Sequence, residues 1–207
     1  QPLGMRTGQA LLGAIENAVT GMAFAQMWRH YDVPCALAAN GSDSKLPDYQ
    51  CASEKAMNLV SQCLAGPSLF LTGGSIYDEL TWSPVVLLMD AEMIEMAGRV
   101  LAGMQVTDET LAVDLIRQVG PIPGFYLDKQ HTREWWAKEQ FVPRLADRQS
   151  HAEWEAAGSR SMLDRASEQL QEILASHEPA ALPADRCQAL DEILAEAEAS
   201  YRQQGAM

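Results

Sequence analysis

Apolar positions recur at three- and four-residue spacing over most of this chain, interrupted by two short runs that are apolar throughout. From Gly8 to His30, residues Leu11, Leu12, Ile15, Val19, Met22 and Met27 share a broad face, which predicts a long helix. The run Cys35 to Ala39 reads as a buried strand, near 34–39, closed by the turn signal Asn40-Gly41. Pro47-Asp48 opens a second helix, where Ala52, Ala56, Leu59, Val60 and Cys63 keep helical spacing as far as Ala65. Ser68-Leu-Phe-Leu-Thr72 is a second buried strand, near 67–72, with Gly73-Gly74-Ser75 after it and a loop from Ile76 to Thr81. Ser83-Pro84 is a helix start, an N-cap followed by a proline at the first helical position, for a helix to about Gly103. Thr107-Asp108-Glu109 caps one more helix reaching Val119.

Helices alternating with short all-apolar strands predict a parallel sheet covered by helices, the α/β class. Two parallel strands do not make a stable covered sheet alone, so the chain reads as part of a larger structure. Beyond residue 120 the pattern changes. Pro121, Pro123 and Gly124 mark a loop, and an aromatic-rich helix (His131-Thr-Arg-Glu-Trp135-Trp136) runs on until Pro143. Three helical segments follow near Ser150–Ala157, Ser161–His177 and Asp185–Gln203. Leu163, Ala166, Leu170, Ile173 and Leu174 form one apolar stripe, and Leu190, Ile193, Leu194, Ala197 and Tyr201 another. Such stripes would pack on the sheet region or on another subunit, the latter implying a homo-oligomer.

At 207 residues and 47% hydrophobic, the chain is long enough to bury a sizeable core. A net charge of −13 argues against nucleic acid, which needs a basic footprint, and is compatible with a cationic ligand. The longest uncharged apolar run, around Ser83 to Met89, is too short to cross a bilayer, and no signal peptide is expected. A cytoplasmic protein without a membrane partner is expected. Cys35, Cys51, Cys63 and Cys187 lack metal-ligand spacing and read as reduced core residues. No metal site is expected.

The densest polar chemistry follows the first strand: Asp43, Lys45, Asp48 and Gln50. One polar residue would suffice to cap the helix; four invite a functional reading at the strand end where parallel sheets present their chemistry. The structural alternative makes Asp48 a helix cap and Asp43–Lys45 an ion pair. The Thr72–Ser75 loop offers backbone N–H groups but lacks phosphate-loop spacing, and reads as a tight turn. His131 follows an aromatic, Gly/Pro-bearing loop and is a candidate for chemistry, or equally a helix-start residue. Tyr77, Trp82, Phe125 and Tyr126 lie in loops and are suited to lining a cavity. No HExxH, P-loop or dinucleotide fingerprint occurs, and no Ser/His/Asp order stands out.

The order Asp43-Ser44-Lys45, Asp48, Gln50, Glu54 resembles the signature of the trimethylamine methyltransferase family, corrinoid-dependent amine methyltransferases and their relatives. Met5-Arg6-Thr7-Gly8 with Gly13 and Glu16 resembles that family's loop and helix start one unit earlier. Thr72-Gly73-Gly74, Asp90-Ala91-Glu92-Met93, Gly120-Pro121, Phe125, Leu127 and His131-Thr132 follow in order. Pro143-Arg144-Leu145, Asp147-Arg148, Trp154 and Gly158 resemble its C-terminal tail. The resemblance covers nearly the whole chain.

This resemblance implies the last βα units of a TIM barrel over residues 1–120, then a helical extension over 121–207. It implies transfer of a methyl group from a methylated amine, tertiary or quaternary as in glycine betaine, to the corrinoid of a separate protein. No cofactor would be bound tightly by this chain. Catalytic candidates are Asp43 and His131, then Asp48; Lys45, Gln50, Tyr77, Trp82, Phe125 and Tyr126 are candidates for holding substrate. The use of pyrrolysine, and with it a link to methanogenesis, stays open. The competing expectation is a non-catalytic helical assembly module that keeps only the family's shape.

Overall fold

A computed structural model describes residues 2–71 and 73–203. It divides into two compact units, Gln1–Gln171 and Glu172–Met207. In the first, helix α1 (Ile15–His30) leads to strand β1 (Ala36–Leu37), helix α2 (Tyr49–Ala65) and strand β2 (Leu69–Phe70). β1 and β2 pair in parallel, Ala36 opposite Leu69 and Leu37 opposite Phe70. The helical crossover between them makes this a βαβ unit, as parallel pairing requires. The strands are shorter than the apolar runs around them, and Thr72 lies outside the described residues.

Alpha1 starts seven residues later than its apolar pattern predicts. The physical reason is Gly13. Its N–H donates to Asp43 Oδ1 (2.9 Å) and its carbonyl accepts from Asn58 Nδ2 (3.3 Å), so backbone that would continue the helix is held as a loop against α2. A Cβ there would stand 2.2 Å from Glu54 Oε2, so only glycine fits.

After β2 the expected loop is a hairpin. Strands β3 (Ser75–Ile76) and β4 (Thr81–Trp82) pair antiparallel, Ser75 opposite Trp82. Its turn carries Tyr77, Asp78 and Glu79 at φ of 51°, 53° and 65°. Left-handed backbone costs about 1–2 kcal/mol per non-glycine residue, so three in succession hold only because other bonds fix them. Two such bonds are Tyr77 N–H to the Ser44 carbonyl (2.9 Å) and Asp78 N–H to the Ser42 carbonyl (3.1 Å).

Helix α3 (Pro84–Ala102) starts where Ser83-Pro84 predicts, with Ser83 Oγ accepting from Val86 N–H. The expected single helix to Val119 is two, α4 (Asp108–Leu111) and α5 (Val113–Val119). Ala112 between them is left-handed at φ 50°, which ends the first helix without glycine. Helices α6 (Gln130–Glu139), α7 (His151–Ala156) and α8 (Met162–Ser176) follow, and α9 (Ala184–Gln203) belongs to the second unit. The chain is thus mainly helical. Its α/β character is confined to the β1–α2–β2 unit and the hairpin, and the described strands form no barrel wall.

The core is small and lies around that unit. Ala39, Leu59, Cys63 and Ala97 form one buried cluster with Val60, Phe70 and Met93 packed against it. Ala25, Leu37 and Ala65 form a second, and Cys51, Ile76 and Val86 a third under the hairpin. The expectation that all four cysteines lie in the core fails at Cys187, which is exposed on α9. No described helix is long and apolar enough to cross a membrane.

Candidate functional site

Because β1 and β2 run parallel, the loops that follow them leave from the same end of the pair. The 40–48 loop and the 73–82 hairpin are joined there by the two backbone bonds just described. Around this junction the sequence places an unusual density of carboxylates.

Asp43 lies beside Asp78. Asp43 Oδ1 also accepts from Gly13 N–H, and Asp78 Oδ1 lies 3.5 Å from Leu12 N. Burial pushes the Asp43 carboxyl above the ordinary carboxylate value, and the hydrogen bond and charge of Asp78 push it further the same way. Below them, Glu54 accepts from three donors: Ser42 Oγ at 2.8 Å, Asp43 N–H at 2.9 Å and Gln50 Nε2 at 2.8 Å. Gln50 therefore orients Glu54, which in turn fixes the backbone of Asp43.

Lys45 makes no ion pair with the Asp43 carboxylate. Its Nζ donates to the Asp43 carbonyl (2.7 Å) and lies 4.8 Å from the centre of the Tyr77 ring. A cation over an aromatic face at that distance is an attractive contact. Asp48 caps its own helix, accepting from Cys51 N–H (2.9 Å) and from Ser44 Oγ (2.8 Å). These bonds hold its carboxyl below the ordinary value. Both bonds end on Oδ1, which ties that oxygen to the loop and helix start.

A second polar layer lies beneath. Lys55 Nζ and Asp90 Oδ2 meet at 2.6 Å with side chains only 1% and 2% exposed. Asp90 Oδ2 also accepts from Gly74 N–H (2.8 Å), so the ion pair ties α2, α3 and the hairpin base together. Burial raises the Asp90 carboxyl, opposed first by the Lys55 charge. The buried Asn40 amide lies close enough to Asp90 to favour its charged form, but it completes no hydrogen bond of normal geometry to any described residue. Two residues further along α3, Glu92 accepts from the N–H groups of Arg144, Leu145 and Ala146 at 2.6–2.8 Å.

The other candidates sit apart. His131 Nε2–H donates to the Glu109 carbonyl (2.9 Å), so that nitrogen is not free to accept a proton, and the ring stacks on Trp135 at 5.9 Å. Tyr126 Oη donates to the Gly120 carbonyl (2.9 Å) and Phe125 is exposed. Trp82 Nε1 donates to the Gly73 carbonyl (3.1 Å), across the hairpin base. Among the described residues, no hydrogen bond, ion pair or ring contact links the 124–131 segment to the Asp43–Asp78 junction.

Sequence reasoning missed Asp78, Glu54, Lys55 and Asp90 as members of this network. Glu54 and Asp90 stand only within the family-like motifs, with no partner assigned, and Lys55 and Asp90 lie 35 residues apart. What the junction can do is hold a positive charge: two adjacent carboxylates face an environment with Lys45 as the nearby cation, already engaged by a ring.

Residues 2–201 match the family model for trimethylamine methyltransferase (MTTB). The chain is 32% identical over 199 residues to the trimethylamine methyltransferase MttB of Desulfitobacterium hafniense DCB-2, covering 96% of this chain and 40% of that protein. A trimethylamine methyltransferase of Methanosarcina mazei is 30% identical over the same shares. A glycine betaine methyltransferase of Desulfitobacterium hafniense Y51 is 33% identical over 179 residues, 86% of this chain and 37% of that protein. The chain spans about 40% of the length of the trimethylamine methyltransferases it matches.

Proposed function

The chain belongs to the trimethylamine methyltransferase (MTTB) family, and we propose that it is the C-terminal portion of a methyltransferase acting on a tertiary or quaternary amine. In this reading β1–α2–β2 is one of the last βα units of a TIM barrel, and the strand-end loops lie on its rim. The methyl acceptor is a reduced corrinoid carried by a separate partner protein, and no residue of this chain is assigned to the corrinoid itself.

The observation that carries the reading is the Asp43–Asp78 carboxylate pair at the strand ends. In methyl transfer the carbon–nitrogen bond breaks with its electron pair going to nitrogen, so the nitrogen leaves easily only if it is cationic beforehand. Two carboxylates, one raised by burial and by the other's charge, gain most from a nearby cation because it offsets both penalties. The Tyr77 ring, which already receives the Lys45 ammonium, supplies the apolar, electron-rich surface that methylated ammonium groups prefer. Glu54 and Gln50 position Asp43 rather than touch substrate. The trimethylamine and glycine betaine enzymes to which the chain is similar support a methylated amine as substrate class.

The test is reconstitution. The full-length protein, mixed with its corrinoid protein in the reduced cobalt state, should transfer a methyl group from trimethylamine or glycine betaine. Absence of transfer with every methylated amine supplied would favour the competing reading, an assembly module that keeps the family's shape. That reading draws on the exposed apolar stripe of α9.

A further inference from the structure

The strongest unexplained feature is basic, in a chain whose net charge is −13. Four arginines, Arg144, Arg148, Arg160 and Arg165, surround a cavity of about 360 Å³ together with Trp154 and Asp147. Fifteen lysines and arginines are spread over 207 residues, so four around one cavity is a local concentration of basic groups.

The cavity is held from several sides. Glu92 fixes the backbone of residues 144–146 through the three bonds described above. Arg165 donates from Nε to the Leu145 carbonyl and from Nη1 to the Arg160 carbonyl (2.6 Å), pinning its guanidinium across the cavity. Trp154 Nε1 donates to the same Arg160 carbonyl (3.1 Å), which sets the indole as a wall. These bonds fix positions without neutralising charge.

Charge neutralisation is uneven. Arg144 pairs with Glu95 (2.9 Å) and Arg160 pairs with Glu168. Arg148 and Arg165 bond only carbonyls, Arg148 Nη1 to Asp147 at 2.8 Å, and neither forms an ion pair with a carboxylate among the described residues. The Asp147 carboxylate accepts from Gln149 N–H (3.0 Å) instead of pairing with either. Two guanidiniums without a carboxylate ion pair at one cavity, Arg148 and Arg165 (the latter within reach of the Asp164 charge), match an anionic ligand with several acceptor oxygens, and guanidinium geometry suits phosphate oxygens in particular. The size is that of a small-molecule site.

We infer that this cavity binds a phosphate group, free or as the ester of a small planar molecule resting on Trp154. Nothing in this site depends on the Asp43–Asp78 junction. A methyltransferase with no phosphate site and a phosphate-binding protein with no methyltransferase activity are therefore separately observable.

The experiment is calorimetric titration of the full-length protein with inorganic phosphate and, separately, with phenyl phosphate. Saturable binding that Arg148→Gln weakens about tenfold or more, with unchanged melting, supports the site. Arg148 suits the purpose because it touches only its neighbour's carbonyl, and Arg186→Gln on α9 serves as the control that leaves binding intact. If phenyl phosphate binds more tightly and Trp154→Leu removes the difference, the ligand is an ester; equal affinity identifies free phosphate. No saturable binding of either probe at millimolar concentration, or binding that Arg148→Gln leaves unchanged, overturns the inference.

Discussion

Alpha2 and α9 are similar in length and both carry an apolar stripe, yet they end in opposite environments. Seven residues of α2 are buried, among them Lys55, Asn58 and Gln62, and its inward side packs with residues of α1, the strands and α3, while Met57 and Leu64 face outward. No described residue of α9 is buried; Leu190, Ile193, Leu194 and Tyr201 are 49–62% exposed. The difference teaches that hydrophobic period alone does not place a helix in a core. What closes the α2 region is a set of polar bonds between distant segments, each meeting a specific partner. Alpha9 has the stripe with no described residue buried.

The sharpest way to break this contrast is to remove one member of the buried ion pair. Lys55→Met leaves Asp90 uncompensated in the interior and should cost about 3–5 kcal/mol in chemical denaturation. Lys55→Met with Asp90→Leu should recover much of that loss, because two apolar groups leave no orphaned charge. A single variant as stable as wild type would mean that the pair is not what closes the region.

A smaller effect is expected at the start of α2. Asp48→Ala removes the cap and should lower the melting temperature, while Asp48→Asn retains most of the stability. The sign of the pH dependence follows from the direction of its shift. Its folded pKa lies below the ordinary value, so its contribution is present above the unfolded pKa and is lost as pH falls through the folded one. Melting curves of wild type and Asp48→Ala should converge in acid. Curves that stay parallel would remove Asp48 from the account of α2.

The smallest effect belongs to α9. Leu190→Ser with Leu194→Ser should change the stability of the isolated monomer by no more than about 0.5 kcal/mol per site, as exposed substitutions do. If the same variant dissociates a larger assembly seen by light scattering, the stripe is an interface. If it unfolds the monomer, the contrast between the two helices is wrong.

How much of this was legible follows the same division. Local signals were legible: Asp48, Ser83 and Thr107 all cap the helices their sequence context announces, because a cap acts within three or four residues of itself. The parallel pairing of the two apolar runs was also legible, since a helical crossover leaves few alternatives. Three features were not. The hairpin turn uses Tyr77, Asp78 and Glu79 in left-handed backbone, where sequence rules look for glycine or asparagine. The break at Ala112 likewise has no composition signal. The Asp43–Asp78 and Lys55–Asp90 meetings are long-range, and no periodicity announces which charge in a helix will find a buried partner. At His131 the sequence left a helix-start role and a chemical role equally open, and the bond to Glu109 supplies a structural use for its Nε2.

The most direct measurement sets rate against stability for Asp43→Asn in the full-length protein, assayed for the proposed methyl transfer to a reduced corrinoid protein. The asparagine amide can keep the bond from Gly13 N–H and donate to Asp78, so the loop should hold its shape. Because the Asp43 carboxyl is raised in the fold, its ionisation weakens folding: the stabilising contribution is complete below the unfolded pKa and is lost as pH rises through the folded value. The variant should therefore melt at or above the wild-type temperature at neutral pH, with that pH dependence gone. Methyl transfer should fall about a hundredfold or more if, as proposed, the Asp43 charge holds the reacting cation. An enzyme that keeps its rate but loses stability would contradict the account, leaving the Asp43–Asp78 junction a structural feature of the loop.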